Sequence, residues 1–221
     1  MRAFVLNLKS RPDRWERIKK IFAGSPIQVS RIDAVKAENP HYGVMKSFLK
    51  ALRKARREGL ANILILEDDC LPTPGWKRRW TKVCEWLDAN PDKWDLYSGG
   101  NWQIWYPREI GHIDDIKFYD PLYSLAAHWL YVPKRSYDSL IDYYSWVLDM
   151  SHVMPTVSID QHNNLLKMVI SHPFMAYQRS GFSNTKQVFR DTEKMFSDAE
   201  KGIRRTRRRA RFPRRNKTKK N

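Results

Sequence analysis

The chain alternates short apolar runs with longer stretches of helical period. Residues 3–8 form an apolar run of strand length. Ser10 then offers a helix N-cap, with Pro12 in the first turn and Asp13 three residues beyond the cap. Trp15, Ile18, Ile21 and Phe22 follow at helical spacing. Gly24, Ser25 and Pro26 end that helix, and residues 27–32 read as a second strand. The clearest helix covers 42–58. Val44, Met45, Phe48, Leu49, Leu52 and Ala55 form its apolar stripe, opposite Lys46, Lys50, Arg53, Lys54, Arg56 and Arg57. Gly59 follows as a natural C-terminal stop. Ile63-Leu64-Ile65-Leu66 is continuously apolar, as in a strand buried on both faces. A helix is predicted over 76–88, strands over 94–97 and 125–132, a helix from Pro133 to about Leu148 and a short helix over 160–168. Residues 101–123 carry Trp, Tyr, Pro and Asp without a period and read as a long functional loop, and 172–185 as irregular. This alternation predicts a mostly parallel α/β sheet covered by helices on both faces. Ligands of such sheets bind beyond the carboxyl ends of the strands.

A chain of 221 residues fits one domain with a real core. Nine Trp, ten Tyr and nine Phe argue against disorder over most of the length. Two cysteines, Cys70 and Cys84, are too few for a disulfide framework or a zinc finger, which favours a reducing compartment. No run of 18 apolar residues is present, and the N-terminal apolar run is too short for a secretory segment, so a cytoplasmic location is expected. The net charge of +17 is uneven: eleven Lys or Arg and no acid lie between Arg204 and Lys220, about two thirds of the excess. Residues 1–200 are therefore read as the folded domain and 201–221 as a basic tail, disordered in isolation. Such a tail is either a patch for a polyanion (nucleic acid, an anionic membrane surface or an acidic partner) or a solvated extension.

Glu67, Asp68 and Asp69 come directly after the apolar run 63–66. In extended chain Glu67 and Asp69 point to one side and Asp68 to the other. Two carboxylates so placed at a strand end can hold a hard divalent cation, Mg²⁺ or Mn²⁺, and through it a pyrophosphate. The other reading is a solvated acidic turn.

The surrounding segments carry a resemblance. Val5-Leu6-Asn7-Leu8-Lys9-Ser10-Arg11-Pro12-Asp13-Arg14 resembles the opening of glycosyltransferase family 25, which includes lipooligosaccharide galactosyltransferases and collagen galactosyltransferase domains. Arg31-Ile32-Asp33-Ala34-Val35 is similar to that family's short strand ending in Asp, and Gly43-Val44-Met45-Lys46-Ser47-Phe48 to its Gly-x-x-x-Ser-His helix start, with Phe48 in place of His. Residues 63–69 resemble its hallmark strand and acidic motif, 94–100 its next strand, and 126–133 its strand before a helix. Ser158-Ile159-Asp160 and the segment from His172 to Gln178 are similar to its late Asp and its Pro-x-x-x-x-Gln segment. The resemblance spans 3–185. It implies a GT-A, Rossmann-like fold, a UDP-sugar donor, a divalent metal and transfer of a hexose, galactose or glucose, with inversion.

Site assignments follow from both readings. Asp69 and Glu67 are the candidate metal ligands. His172 is a third, as a late His is in many GT-A enzymes, or else a loop residue. His128 and His162 are weaker candidates. Asp160 is the candidate general base, the family's late Asp, or alternatively a helix cap. Arg11 and Arg14 suit phosphates or the uracil. The resemblance adds Asn7, Asp68 and Gln178 to the donor side. Trp102, Trp105 and Tyr106 are expected as an aromatic wall for the acceptor, or as packing under the loop. The expected acceptor is a glycan or glycoprotein. Aromatic loop and basic tail together allow two others: transfer to a hydroxylated base in DNA, and a nucleic-acid-binding protein without enzymatic activity.

Overall fold

A computed structural model describes residues 1–150, 153, 159–163, 166–183 and 188–210. The chain opens with β1 (Arg2–Asn7), α1 (Pro12–Phe22), β2 (Gln28–Asp33), α2 (Pro40–Arg57) and β3 (Asn62–Glu67). Next come β4 (Cys70–Pro72), α3 (Trp76–Ala89), β5 (Leu96–Ser98), β6 (Gln103–Trp105), β7 (Arg108–Ile113), β8 (Ile116–Asp120) and β9 (Tyr123–Leu125). The last stretch holds β10 (Trp129–Pro133), α4 (Tyr137–Asp149), α5 (Ile159–Asn163), β11 (Met168–His172), β12 (Ala176–Gln178), β13 (Gly181–Ser183), β14 (Val188–Arg190) and α6 (Thr192–Ala210).

Eight strands form the central sheet in the order β2-β1-β3-β10-β5-β11-β8-β7. The pairings β1–β2, β1–β3 and β11–β5 are parallel, whereas β10 and β8 run against their neighbours. Six of these eight strands therefore share one direction. The alternation inside β3 explains its unbroken apolar run. Ile63 and Ile65 pack under α2 and α4, and Leu64 and Leu66 face the opposite layer with α1 and α3. Phe4 and Leu6 of β1 divide from Ala3 and Val5 in the same way. The α2–α4 layer is mainly aliphatic, whereas the α1–α3 layer collects Trp76, Trp80, Trp86, Trp94 and Trp129. Gly59 takes a φ of +65° just past α2, and its N–H closes on the Arg56 carbonyl. That conformation is open to glycine at no steric cost.

Several expectations need correction. Residues 101–123 are not one loop: they hold β6, the hairpin β7–β8 and the start of β9. The hairpin escapes a period-two reading because its register shifts between Glu109 and Gly111 and its turn is built on Asp114, at φ 49°, rather than on glycine. Gly111 lets the Trp86 ring, stacked on Phe118 at 3.9 Å, lie against the strand; a Cβ there would sit 2.9 Å from the indole. The helix predicted over 160–168 is the short α5, Ile159–Asn163, and Met168 instead opens strand β11, which completes the sheet between β5 and β8; within 172–185, read as irregular, lie β12 and β13. Helix α1 starts with Pro12 and has Arg11, not Ser10, at its N-cap position. Helix α6 carries the basic segment as helical backbone through Ala210; the rest of that segment, 211–221, lies outside the described residues. Among the described residues no helix is long and apolar enough to cross a membrane.

Candidate functional site

The site lies at the carboxyl ends of β1 and β3, where the chain leaves the sheet. Parallel pairing of Leu6 with Glu67 sets the two strand ends side by side. Asn7, fully buried, turns its Nδ2 to the Arg11 carbonyl at 2.9 Å and to Asp68 Oδ2 at 2.7 Å. The first bond holds the start of α1 against β1. Arg14, one turn into α1, donates to Asp68 Oδ1 at 2.7 Å and lies 3.8 Å from Asp69 Oδ2. Both oxygens of Asp68 thus accept bonds from the protein. Asp68 fastens α1 to the end of β3, and it leaves Glu67 and Asp69, both partly buried, as the carboxylates of the motif not paired with it.

Glu67 and Asp69 are bridged by one amide. Gln178 Nε2 lies 3.0 Å from Glu67 Oε2 and 3.3 Å from Asp69 Oδ2. The register explains how Gln178 arrives: β12 pairs antiparallel with β4, setting Gln178 opposite Cys70, and the Arg179 N–H bonds the Asp69 carbonyl at 2.8 Å. Burial first, and then the charges of Asp69, Asp160 and Asp68, push the Glu67 carboxyl well above its ordinary range. Burial and the Asp68 charge raise Asp69 to about 6, against the pull of Arg14. One neutral amide does not balance two crowded carboxylates, so the pair favours either a shared proton or a cation.

Asp160 reaches the same place from the far end of the chain. It is the second residue of α5 rather than the residue before it, so it is not the helix cap. Ser158, part of that cap reading, lies outside the described residues. The Ala126 backbone bonds the Asp160 carboxylate, and burial raises it to about 6. Its charge is felt by Glu67.

The predicted residues therefore separate. Asn7, Arg14, Asp68, Asp69, Glu67 and Gln178 are joined by hydrogen bonds and one ion pair, and Asp160 is near enough for its charge to act on Glu67. Arg11 stands beside them with its guanidinium paired to Asp13 at 2.9 Å. His172 does not join them: it ends β11, and β10 and β5 lie between β11 and β3. Three strand steps of about 4.8 Å make roughly 14 Å. His128 is fully buried behind Glu67, its carbonyl accepting the Glu67 N–H at 3.1 Å. Burial depresses its imidazole to about 4, so it is neutral near pH 7. Trp102 packs on the Phe196 and Ile203 cluster beneath α6, with the Arg190 guanidinium 5.3 Å from its ring. Trp105 and Tyr106 sit at the β6–β9 ribbon, 50% and 78% exposed, and Trp105 packs on Tyr123.

Two cations escaped the sequence reading. Arg17 donates to the Asp68 carbonyl at 2.9 Å, and the backbone N–H of Arg179 donates to the next carbonyl, that of Asp69, at 2.8 Å. Arg17 had a signal, since it follows Arg14 by three residues and shares its helix face. Arg179 had none beyond its place after Gln178.

Among the described residues, no group of three or more His, Cys, Asp and Glu side chains is arranged as a metal cage. That donor set still fits Mg²⁺ or Mn²⁺, which are commonly held by one or two carboxylates and complete their shells with phosphate oxygens and water.

No family model matches the chain, and no curated protein matches it. Solved structures do. A197 from STIV is 10% identical over 85% of this chain and 91% of that one, with a TM-score of 0.45. A glycosyltransferase involved in the glycosylation of the major capsid of PBCV-1 is 9% identical over 66% of each chain, with a TM-score of 0.43. An apo UDP-glucose pyrophosphorylase is 8% identical over 93% of this chain and 81% of that one, with a TM-score of 0.36. The solved structures to which this chain is similar thus include a glycosyltransferase and a sugar-nucleotide pyrophosphorylase.

Proposed function

We propose that the protein is a glycosyltransferase of GT-A type that moves a hexose from a UDP-sugar to an acceptor hydroxyl with inversion. The observation that carries this reading is the pair of carboxylates Glu67 and Asp69 at the carboxyl end of β3, with the charge of Asp160 acting on Glu67. All three carboxylates are raised by burial, and two are bridged by Gln178. The order of motifs along residues 3–185 supports the same reading.

In this reading Asp69 and Glu67 hold a divalent cation. The chemistry such an ion supplies when bound is neutralisation of the charge on a leaving diphosphate. Asp68 and Asn7 act by position: they fix Arg14 and the α1 start so that the cationic face of α1 looks at the carboxylates. Asp160 takes the proton of the acceptor hydroxyl as that oxygen attacks the sugar C1, and UDP departs from the opposite face. A carboxyl raised to about 6 suits this work near neutral pH, being ionised yet a stronger base than an ordinary carboxylate. The acceptor we propose is a glycan or glycoprotein.

The test is UDP release from a panel of UDP-sugars, with Mn²⁺, Mg²⁺ or chelator, on the wild type and on Asp69→Ala. Slow donor hydrolysis needs no acceptor. Cation-dependent release lost in Asp69→Ala is the expected result. No release from any donor, together with no cation-dependent UDP binding, overturns the proposal.

A further inference from the structure

Helices α2 and α4 divide their charges completely. Helix α2 holds six Lys or Arg and no acid, whereas α4 holds Asp138, Asp142 and Asp149 and no base. The two run antiparallel: Arg56 meets Asp138 at 2.8 Å, and Arg53 donates to Ser145 Oγ at 3.0 Å. Between them and Ile32 of β2, an edge strand of the sheet, lies a groove of about 620 Å³. Ile32, Leu49 and Leu148 form its apolar floor. Lys46, Lys50, Arg53 and Arg57 line it from α2, at positions three and four apart that set them in one row.

The row is not neutralised, unlike the rest of the helix. Arg56 has Asp138, and Lys54, which also lines the groove, has Glu58 at 2.6 Å. Among the described residues, Lys50 reaches only the uncharged Asp33 carbonyl, at 2.9 Å, and Arg53 only the Ser145 hydroxyl. The side chains of Lys46 and Arg57 form no ion pair among the described residues. Asp149 is the one acid of the lining, and it forms no ion pair with the row. Like charges three and four apart on a helix repel. An anion seated in the groove relieves that repulsion.

We infer that this groove is a binding site for a phosphate monoester with an apolar body, the head on the row and the body on the floor. A phosphate monoester brings nearly two charges and three acceptor oxygens to a row of four cations. The Arg53 guanidinium matches those oxygens, and the lysine stems extend the apolar wall. The volume falls within the roughly 300–1,000 Å³ of small-molecule sites, which set a few polar groups over an apolar lining. A nucleic-acid strand would use the row but not the floor, and no aromatic ring lines the groove for a base to stack on. Strand β1 separates β2 from β3 and its acidic turn, so this inference stands apart from the glycosyltransferase reading.

The experiment titrates octyl phosphate, butyl phosphate, inorganic phosphate and an oligothymidylate into the full chain by calorimetry, with the octyl ester kept below micelle formation. It compares wild type, Arg53→Gln, the double variant Lys46→Gln with Arg57→Gln, Leu148→Ser, and Lys77→Gln, an exposed cation on α3 across the sheet. Thermal melts verify folding. The double variant breaks no ion pair, so it stays informative should Arg53→Gln unfold. Octyl phosphate is expected to bind about tenfold more weakly to Arg53→Gln and to the double variant, and unchanged to Lys77→Gln. The octyl ester is expected to bind about tenfold more tightly than the butyl ester, and Leu148→Ser to shrink that difference. No octyl phosphate binding, or equal binding by folded Arg53→Gln and the double variant, overturns the inference. Inorganic phosphate bound as tightly as the octyl ester overturns it in favour of a general anion patch. Oligothymidylate bound more tightly than the octyl ester, and lost in the same variants, overturns it in favour of a nucleic-acid face.

Discussion

The turn after β3 and the ribbon β6–β9 both follow strands of the central sheet, yet they hold their side chains differently. At the turn, carboxylates and guanidiniums are pinned by short bonds from three parts of the chain: β1 and α1, the end of β3, and β12. Their charges are crowded, and two carboxyls are raised to about 6. At the ribbon, Trp105 and Tyr106 are large and accessible. Little holds them beyond the pairing of Trp105 with Tyr123. Stored electrostatic cost marks the turn as a place for chemistry. Accessible aromatic area marks the ribbon at most as a contact surface.

The sharpest way to break this contrast is to remove one carboxylate. Asp69→Ala or Glu67→Gln is expected to cut UDP release by about 10³-fold, some 4 kcal/mol of transition-state stabilisation. Trp105→Ala with Tyr106→Ala is expected to leave that release within about twofold, because hydrolysis needs no acceptor. A reversed result would move the chemistry to the ribbon.

Asp160→Asn is expected to lose about 10²- to 10⁴-fold in transfer while UDP still binds. The wild-type rate should rise with pH through about 6, as Asp160 ionises, and Asp160→Asn should lack that limb. Unchanged turnover would sink the assignment of the base.

Stability gives an independent reading of the same carboxyl. Asp160 titrates near 6 when folded, against an ordinary 3.8. Between these values the folded state holds a proton that the unfolded state has released. Its contribution is therefore complete below about pH 4 and is lost as pH rises through 6. Glu67 and Asp69 are raised in the same direction and add to that slope. Asp160→Asn should melt close to wild type near pH 4 and be more stable at pH 7.5 by on the order of 2 kcal/mol, its partial exposure allowed for. Melting curves across that range check the sign.

A smaller effect tests the floor on which the site stands. A Cβ at Gly100 would lie 2.1 Å from the Ala176 carbonyl oxygen, on the segment that leads to Gln178. Gly100→Ala is expected to cost about 1–3 kcal/mol. The ribbon pair, Trp105→Ala and Tyr106→Ala, should change stability least, by about 0.5 kcal/mol each, as exposed substitutions do.

Much of the fold was readable before any coordinates. The unbroken Ile63–Leu66 run announces a strand covered twice, and the stripe from Val44 to Ala55 announces α2, because each pattern reports burial over neighbouring turns or pleats. The acidic turn was readable for the same local reason: it follows a strand end. Asp160 and Gln178 came from the order of motifs rather than from any pattern of their own. Four features were not readable: the β7–β8 hairpin with its shifted register, His172 set three strands from Glu67, Asp68 turned into a fastening between α1 and β3, and the Arg179 backbone drawn onto the Asp69 carbonyl. These depend on which strand pairs with which and in what register. Local periodicity shows which face of an element is buried; pairing between distant segments decides which charges come to share one partly dry turn.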